Sequence, residues 1–155
     1  MTRINCVPPK ELNDRMLVSE YHELPRVFQL VKRAIRRGED AETCRKNFPR
    51  YTLGQGHVRF FFGRLKYLAE RKILIIEEML ARKMRPNYST FSEEIEGIPK
   101  EWFGEWVPTG EAIALNRQQL KERLTKENDK EQRPKRKVIT PYNEHELKDD
   151  FNGKE

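Results

Sequence analysis

Residues 20–28 bring together side chains that could do chemistry and side chains that build a helix. The stretch reads Glu-Tyr-His-Glu-Leu-Pro-Arg-Val-Phe, so an acid at Glu23 lies close to two potential cations, His22 and Arg26. Glu23 and Arg26 are three residues apart and would share one face of a helix. These residue types serve proton transfer and anion binding, whereas a plain ion pair between Glu23 and Arg26 is the structural alternative. A helix that only packed into a core would need neither Glu23 nor Arg26.

The apolar pattern around this stretch predicts a first helix over residues 14–37. Apolar side chains recur at intervals of four and three residues, Asn13 or Asp14 can cap the start, and Gly38 supplies the stop. The apolar positions are Leu17, Tyr21, Leu24, Phe28, Val31 and Ile35. Pro25 removes one backbone hydrogen bond and is expected to bend the helix. The helix would thus bury one face and present the acid and the cations on another.

Two further helices are predicted downstream. Residues 57–84 carry the longest apolar stripe, which Lys72 interrupts, and residues 110–125 form a third helix. Residues 38–56 are expected to form a loop, and residues 86–108 are expected to be irregular. We therefore predict an all-α fold, a compact three-helix bundle with long loops.

The end of the chain has a different composition. Residues 1–127 are predicted to form the helical domain, and residues 128–155 a charged, disordered tail without apolar periodicity. Within the tail, the basic run at residues 133–137 could add nonspecific attraction to phosphates, although a solvated charge run is the alternative.

The charge distribution favours a polyanionic partner. The net charge is +6 and the pI is about 9.4, which points to nucleic acid first and to an anionic membrane surface second. Between residues 26 and 50, eight basic residues, among them Arg33 and Arg37, stand against three acidic ones. This segment could receive phosphates, or it could be an ordinary solvated surface.

Cysteine use and hydropathy predict a soluble protein of the cytoplasm. Cys6 and Cys44 have neither CxxC spacing nor a nearby histidine pair, so we expect reduced thiols. The N-terminus lacks the apolar run of a signal peptide, and no stretch approaches the roughly 18 apolar residues of a membrane-spanning helix.

Four segments carry a resemblance that goes beyond composition. They are Thr2-Arg3-Ile4-Asn5, Glu20-Tyr21, Glu23-Leu24-Pro25-Arg26-Val27-Phe28, and Leu53-Gly54-x-Gly56-His57-Val58-x-Phe60-Phe61. Over residues 2–125 the chain resembles the bacteriophage-type pyrimidine-dimer DNA glycosylases, also called the phage endonuclease V family. The resemblance implies a compact three-helix enzyme without a metal or organic cofactor. It also implies an activity that cuts the glycosidic bond of a damaged base and then the DNA backbone.

The resemblance implies two catalytic residues. Once Met1 is removed, the α-amine of Thr2 would attack the sugar C1′, expel the base and leave an imine. An unperturbed α-amine has a pKa of about 7.7–8.0, so a useful fraction is neutral near pH 7. Glu23 would stabilise the opened sugar and assist proton abstraction during β-elimination.

The DNA-binding residues are expected at Arg3, His22, Arg26, Arg33 and Arg37, with Arg3 and Arg26 holding phosphates that flank the lesion. The expected partner is damaged double-stranded DNA with one nucleotide extruded from the helix. We expect a cytoplasmic monomer without a membrane partner, for which association with the nucleoid or a viral origin stays open. His57 is interpreted as a packing or helix-start residue outside the site.

Other functions stay open at this point. The lesion could be a cyclobutane dimer, another modified base or an abasic site. A noncatalytic DNA-binding module would keep the basic face without needing the Thr2 amine, and an RNA-binding protein would show no strand cleavage.

Overall fold

The structure, a computed structural model, describes residues 4–86 and 92–132. The predicted site residues Thr2 and Arg3 lie outside the described residues, and so does the predicted tail beyond Gln132. The chain divides into two units, Met1–Leu120 and Lys121–Glu155.

The all-α class is confirmed, since helices are the only regular elements in the described part of the chain. The five α-helices are α1 (Asp14–Arg36), α2 (Ala41–Asn47), α3 (Leu65–Ala81), α4 (Ser92–Ile95) and α5 (Gly110–Gln132). Short 3-10 turns lie at Pro9–Glu11, Arg59–Phe61 and Lys100–Trp102. The three long helices, α1, α3 and α5, correspond to the three predicted ones, and α5 continues to Gln132 rather than ending at residue 125.

Helix α1 follows its prediction to within a residue. The Asn13 side chain caps it by accepting a hydrogen bond of 2.8 Å from the Met16 backbone N–H. The predicted apolar stripe is buried from Leu17 to Val31 and partly buried at Ile35, and the helix continues through Pro25. The side chains of this stripe pack mainly against α3, so α1 and α3 form the centre of the core. The expected bend at Pro25 stays a prediction.

The prediction of a loop over residues 38–56 was wrong in part, because α2 lies within it. Asp40 caps this helix through a 2.7 Å hydrogen bond from the Thr43 backbone N–H to its carboxylate. The helix is short, with Ala41 and Cys44 as its buried residues, so it leaves little periodic signal.

The second predicted helix begins later than expected, at Leu65 rather than residue 57. Residues 57–64 instead form turns that pass close to α2. A Cβ atom on Gly63 would lie 3.0 Å from the carbonyl oxygen of Ala41 and 2.5 Å from Cγ of Arg45. Because this approach leaves no room for a side chain, the segment is shaped by packing against α2 and not by helix propensity.

Lys72 interrupts the apolar stripe of α3 as predicted, yet it is only 1% exposed. Its ammonium group lies 4.9 Å from the centroid of the Tyr21 ring, a distance suited to a cation–π contact.

Cys6 and Cys44 are both buried and free. Within residues 4–86 and 92–132, no helix is long and apolar enough to cross a bilayer. The same residues contain no cluster of three His, Cys, Asp or Glu side chains suited to a metal ion.

Candidate active site

The N-terminal segment at residues 4–7 lies buried in the core without forming a regular element. Its first peptide groups are held by side chains from residues 51–57. The Ile4 N–H donates to Nε2 of His57 at 2.8 Å, and the Tyr51 hydroxyl donates to the Ile4 carbonyl at 3.0 Å. These bonds satisfy backbone groups that would otherwise be costly to bury.

Asn5 joins this segment to α1. The Glu20 carboxylate accepts hydrogen bonds from the Asn5 backbone N–H at 3.1 Å and from its side-chain amide at 2.6 Å. The Asn5 carbonyl accepts a third bond, of 2.9 Å, from the Tyr67 hydroxyl on α3. Burial raises the pKa of both Tyr51 and Tyr67, so their phenols keep the protons that they donate.

Asn116 of α5 completes the anchoring. Its side-chain oxygen accepts hydrogen bonds from the backbone N–H groups of Cys6 at 2.8 Å and Val7 at 3.2 Å, while its amide nitrogen donates to the Asn5 side chain. Burial raises the pKa of the Cys6 thiol to about 11, so this buried cysteine stays protonated and makes a poor nucleophile. The segment is therefore fixed to three different helices.

A buried ion pair supports this arrangement from α3. Nε of Arg71 lies 2.7 Å from Glu20, and the two side chains are 3% and 1% exposed. Arg71 also donates to the Val7 carbonyl at 2.5 Å. The pair thus fixes the same carboxylate that binds Asn5.

Replacing Arg71 with Met should lower the free energy of unfolding by about 3–5 kcal/mol, because the Glu20 carboxylate would stay buried without its cation. Urea denaturation measures this difference. The control is Arg117→Met, which breaks an exposed pair with Glu11 of similar length, 2.8 Å, and should change stability little. Equal losses in both variants would contradict a special role for the buried pair.

Glu23 lies on α1 one turn after Glu20, and its side chain is 20% exposed. One carboxylate oxygen, Oε1, accepts a 3.0 Å hydrogen bond from Arg26, so the ion pair that the sequence offers as the structural alternative is present. The other oxygen, Oε2, is buried and has no hydrogen-bond partner among the described residues. Burying a carboxylate oxygen without a hydrogen bond costs free energy. The ion pair with Arg26 satisfies only Oε1, so it does not explain why Oε2 is buried.

The predicted DNA-binding residues of α1 share one exposed face. His22, Arg26 and Arg33 are exposed, and their spacing of four and seven residues keeps them on one side of a helix. Arg37, just after the last residue of α1, extends this row but also binds Glu39 at 2.9 Å. A shallow groove between the cations is lined by Arg26, Gln29, Leu30 and Arg33.

The Leu-Gly-Gln-Gly-His motif, residues 53–57, forms the turn that presents His57 to Ile4. Gly54 and Gly56 have φ angles of +82° and +86°, which L side chains rarely adopt. A Cβ atom on Gly56 would also lie 3.1 Å from the ring of Phe48. His57 itself is 3% exposed. Interpreting it as a packing residue from the sequence missed its hydrogen bond to the N-terminal segment.

The part of the chain that contains these residues matches the model of a known protein family. The family model for pyrimidine dimer DNA glycosylases matches residues 1–92, more than half of the chain. The match includes the anchored N-terminal segment, Glu23 and the exposed face of α1.

Proposed function

The chain belongs to the pyrimidine dimer DNA glycosylase family, and on that premise we propose that it forms an imine with DNA through the Thr2 α-amine. The damaged base is released first, and the backbone is then cut by β-elimination. Membership of this family implies a DNA substrate. The proposal assigns the residues that react with that DNA.

The anchoring of Asn5 to Glu20, one turn before Glu23, is the observation that carries this proposal. Three peptide bonds separate Asn5 from Thr2, and this stretch of chain can span at most about 11 Å. Glu23 lies about 4.5 Å further along the helix axis than Glu20. The Thr2 amine is thus within the chain's reach of the Glu23 carboxylate, whose Oε2 lacks a partner among residues 4–86 and 92–132.

The proposed chemistry needs these two groups and no oxidant or reductant. The neutral Thr2 amine forms a bond to C1′ while the glycosidic bond breaks and its electrons leave with the base, and the base takes up the proton that the bonded nitrogen releases. The sugar ring then opens, which gives a protonated imine that the Glu23 carboxylate can stabilise. Glu23 then accepts a proton from C2′, the electrons of that C–H bond form the C2′–C3′ double bond, and the C3′–O bond breaks as the 3′ phosphate leaves, which cuts the strand.

The exposed basic side chains of α1 supply the phosphate contacts in this proposal. His22, Arg26, Arg33 and Arg37 line one side of the helix that carries Glu23. Arg3 would add a cation beside Thr2, at the reacting nucleotide. Guanidinium groups suit phosphates because they donate two parallel hydrogen bonds and keep their charge.

Replacing Arg33 with Ala should weaken binding to every duplex by a similar factor, and it should lower the slope of log K against log[salt] by about 1. Fluorescence anisotropy over a salt series measures both quantities. Lys100→Ala is the control, since Lys100 is also exposed but lies outside α1, in the 3-10 turn Lys100–Trp102. An unchanged slope in the Arg33 variant would remove this residue from the interface.

Borohydride trapping tests the proposed function directly. The wild-type protein is mixed with duplexes that contain a pyrimidine dimer, an abasic site or no lesion, and borohydride is added. We expect a stable protein–DNA adduct on abasic DNA, with peptide mapping of the attachment to Thr2. Binding without an adduct or a cut strand would favour the second candidate, a noncatalytic DNA-binding module that uses the cationic face of α1. The duplex panel also distinguishes a dimer-specific enzyme from one for another lesion.

A further inference from the structure

We infer that His57 is a positioning residue that holds the Thr2 amine at the reacting sugar by fixing the peptide group of Ile4. The inference rests on the proposed function, because it assigns a role in that same reaction. It also makes a claim about Ile4 that can be measured without any activity.

The hydrogen bonds of His57 determine which of its nitrogens carries the proton. Nδ1 lies 2.7 Å from the carbonyl oxygen of Thr52, which can only accept, so Nδ1 is the donor. Nε2 lies 2.8 Å from the backbone nitrogen of Ile4, which can only donate, so Nε2 offers its lone pair. Both partners are thus satisfied by the same neutral form of the ring.

The ring has little freedom to turn away from Ile4. His57 packs edge-to-face against Tyr51 and Phe61, with centroid distances of 5.3 and 5.7 Å. Tyr51 in turn binds the Ile4 carbonyl, so residues from one short stretch hold both polar groups of this residue. The two glycines with positive φ fix the turn that precedes His57.

Ile4 is the described residue closest to Thr2 in the chain, so its peptide group is the described anchor nearest to the amine. With the Ile4 peptide group loosened, the first firm anchor on the way to the amine would be Asn5 bound to Glu20. With the anchor one residue further from the amine, the amine could occupy more positions relative to the sugar. Misplacing a reacting group by about 1 Å can cost on the order of a hundredfold in rate.

Two substitutions separate the hydrogen bond from the space that the ring fills. His57→Leu keeps an apolar side chain of similar size but leaves the Ile4 N–H without an acceptor. His57→Gln can place its side-chain oxygen near the position of Nε2 and restore the acceptor. The readouts are single-turnover adduct formation on abasic DNA, duplex affinity and amide hydrogen exchange at Ile4.

We expect His57→Leu to slow adduct formation by about tenfold to a hundredfold, with duplex affinity within about twofold of wild type. Ile4 exchange should be faster in this variant, and His57→Gln should recover most of both losses. Met79→Ala is the control for lost stability, since Met79 is a buried residue about 18 Å beyond Tyr67 along α3. It should lower stability without slowing adduct formation in the folded protein.

The outcomes distinguish the inference from the proposed function. An adduct that forms as fast in His57→Leu as in wild type, or unchanged Ile4 exchange, would overturn the positioning role. A rate loss that Met79→Ala reproduces at equal stability would overturn it as well. If the wild-type protein itself forms no adduct, the proposed function fails. The catalytic role of His57 then fails with it, even if amide exchange at Ile4 is faster in His57→Leu.

Discussion

Acetylating the N-terminal amine should abolish adduct formation on abasic DNA while leaving duplex affinity nearly unchanged. An amide nitrogen has no available lone pair, so it cannot attack C1′ or form an imine. The unperturbed α-amine has a pKa of about 7.7–8.0 and lysine about 10.4, so an acylating reagent near pH 6.5 modifies the terminus selectively. Borohydride trapping before and after modification measures the effect, and mass spectrometry reports the modified residue.

The pH dependence of the unmodified protein provides an independent check. Adduct formation should accelerate as pH rises through the amine's pKa, because only the neutral amine is nucleophilic. A control sample carries acetyl groups on exposed lysines after reversible protection of the terminus. Trapping by the sample with a blocked terminus would assign the nucleophile to a side chain, and Thr2 would lose its proposed role.

The features that were predicted from the sequence are those that repeat at short intervals. Apolar side chains recur every three or four residues along the 23-residue helix α1, so its buried face and the exposed row of basic side chains could both be foreseen. Glu23 and Arg26 are three residues apart, and their pairing follows from helix geometry alone. Helix α2 was missed because seven residues with one cap leave little periodicity.

The anchoring of the N-terminal segment could not be predicted in this way. The partners Ile4 and His57 are 53 positions apart, and Cys6 and Asn116 are 110 apart. Each bond joins a backbone group to a single polar side chain, and such a pair has no spacing that a pattern search could detect. The same holds for Glu20 and Arg71, which look like ordinary surface charges until the fold buries them together.

Replacing Glu23 with Gln should slow adduct formation and strand cleavage by about 10²–10⁴-fold, because a neutral amide cannot accept the proton or stabilise the cationic imine. The substitution keeps the size of the side chain, and its oxygen can still accept the hydrogen bond from Arg26. Single-turnover kinetics on abasic DNA measures the loss. Glu11→Gln is the matched control, since Glu11 also pairs with an arginine but lies outside α1, and its activity should equal that of wild type.

Duplex affinity shows whether a slow Glu23→Gln variant has lost chemistry or has lost its fold. The substitution removes a negative charge next to the cationic face of α1, so binding should stay equal or become tighter. A misfolded variant would bind more weakly, because the cations would no longer share one face. Slow chemistry combined with undiminished binding would therefore assign Glu23 to the reaction itself. If the variant cuts abasic DNA at the wild-type rate, the carboxylate serves only as the partner of Arg26.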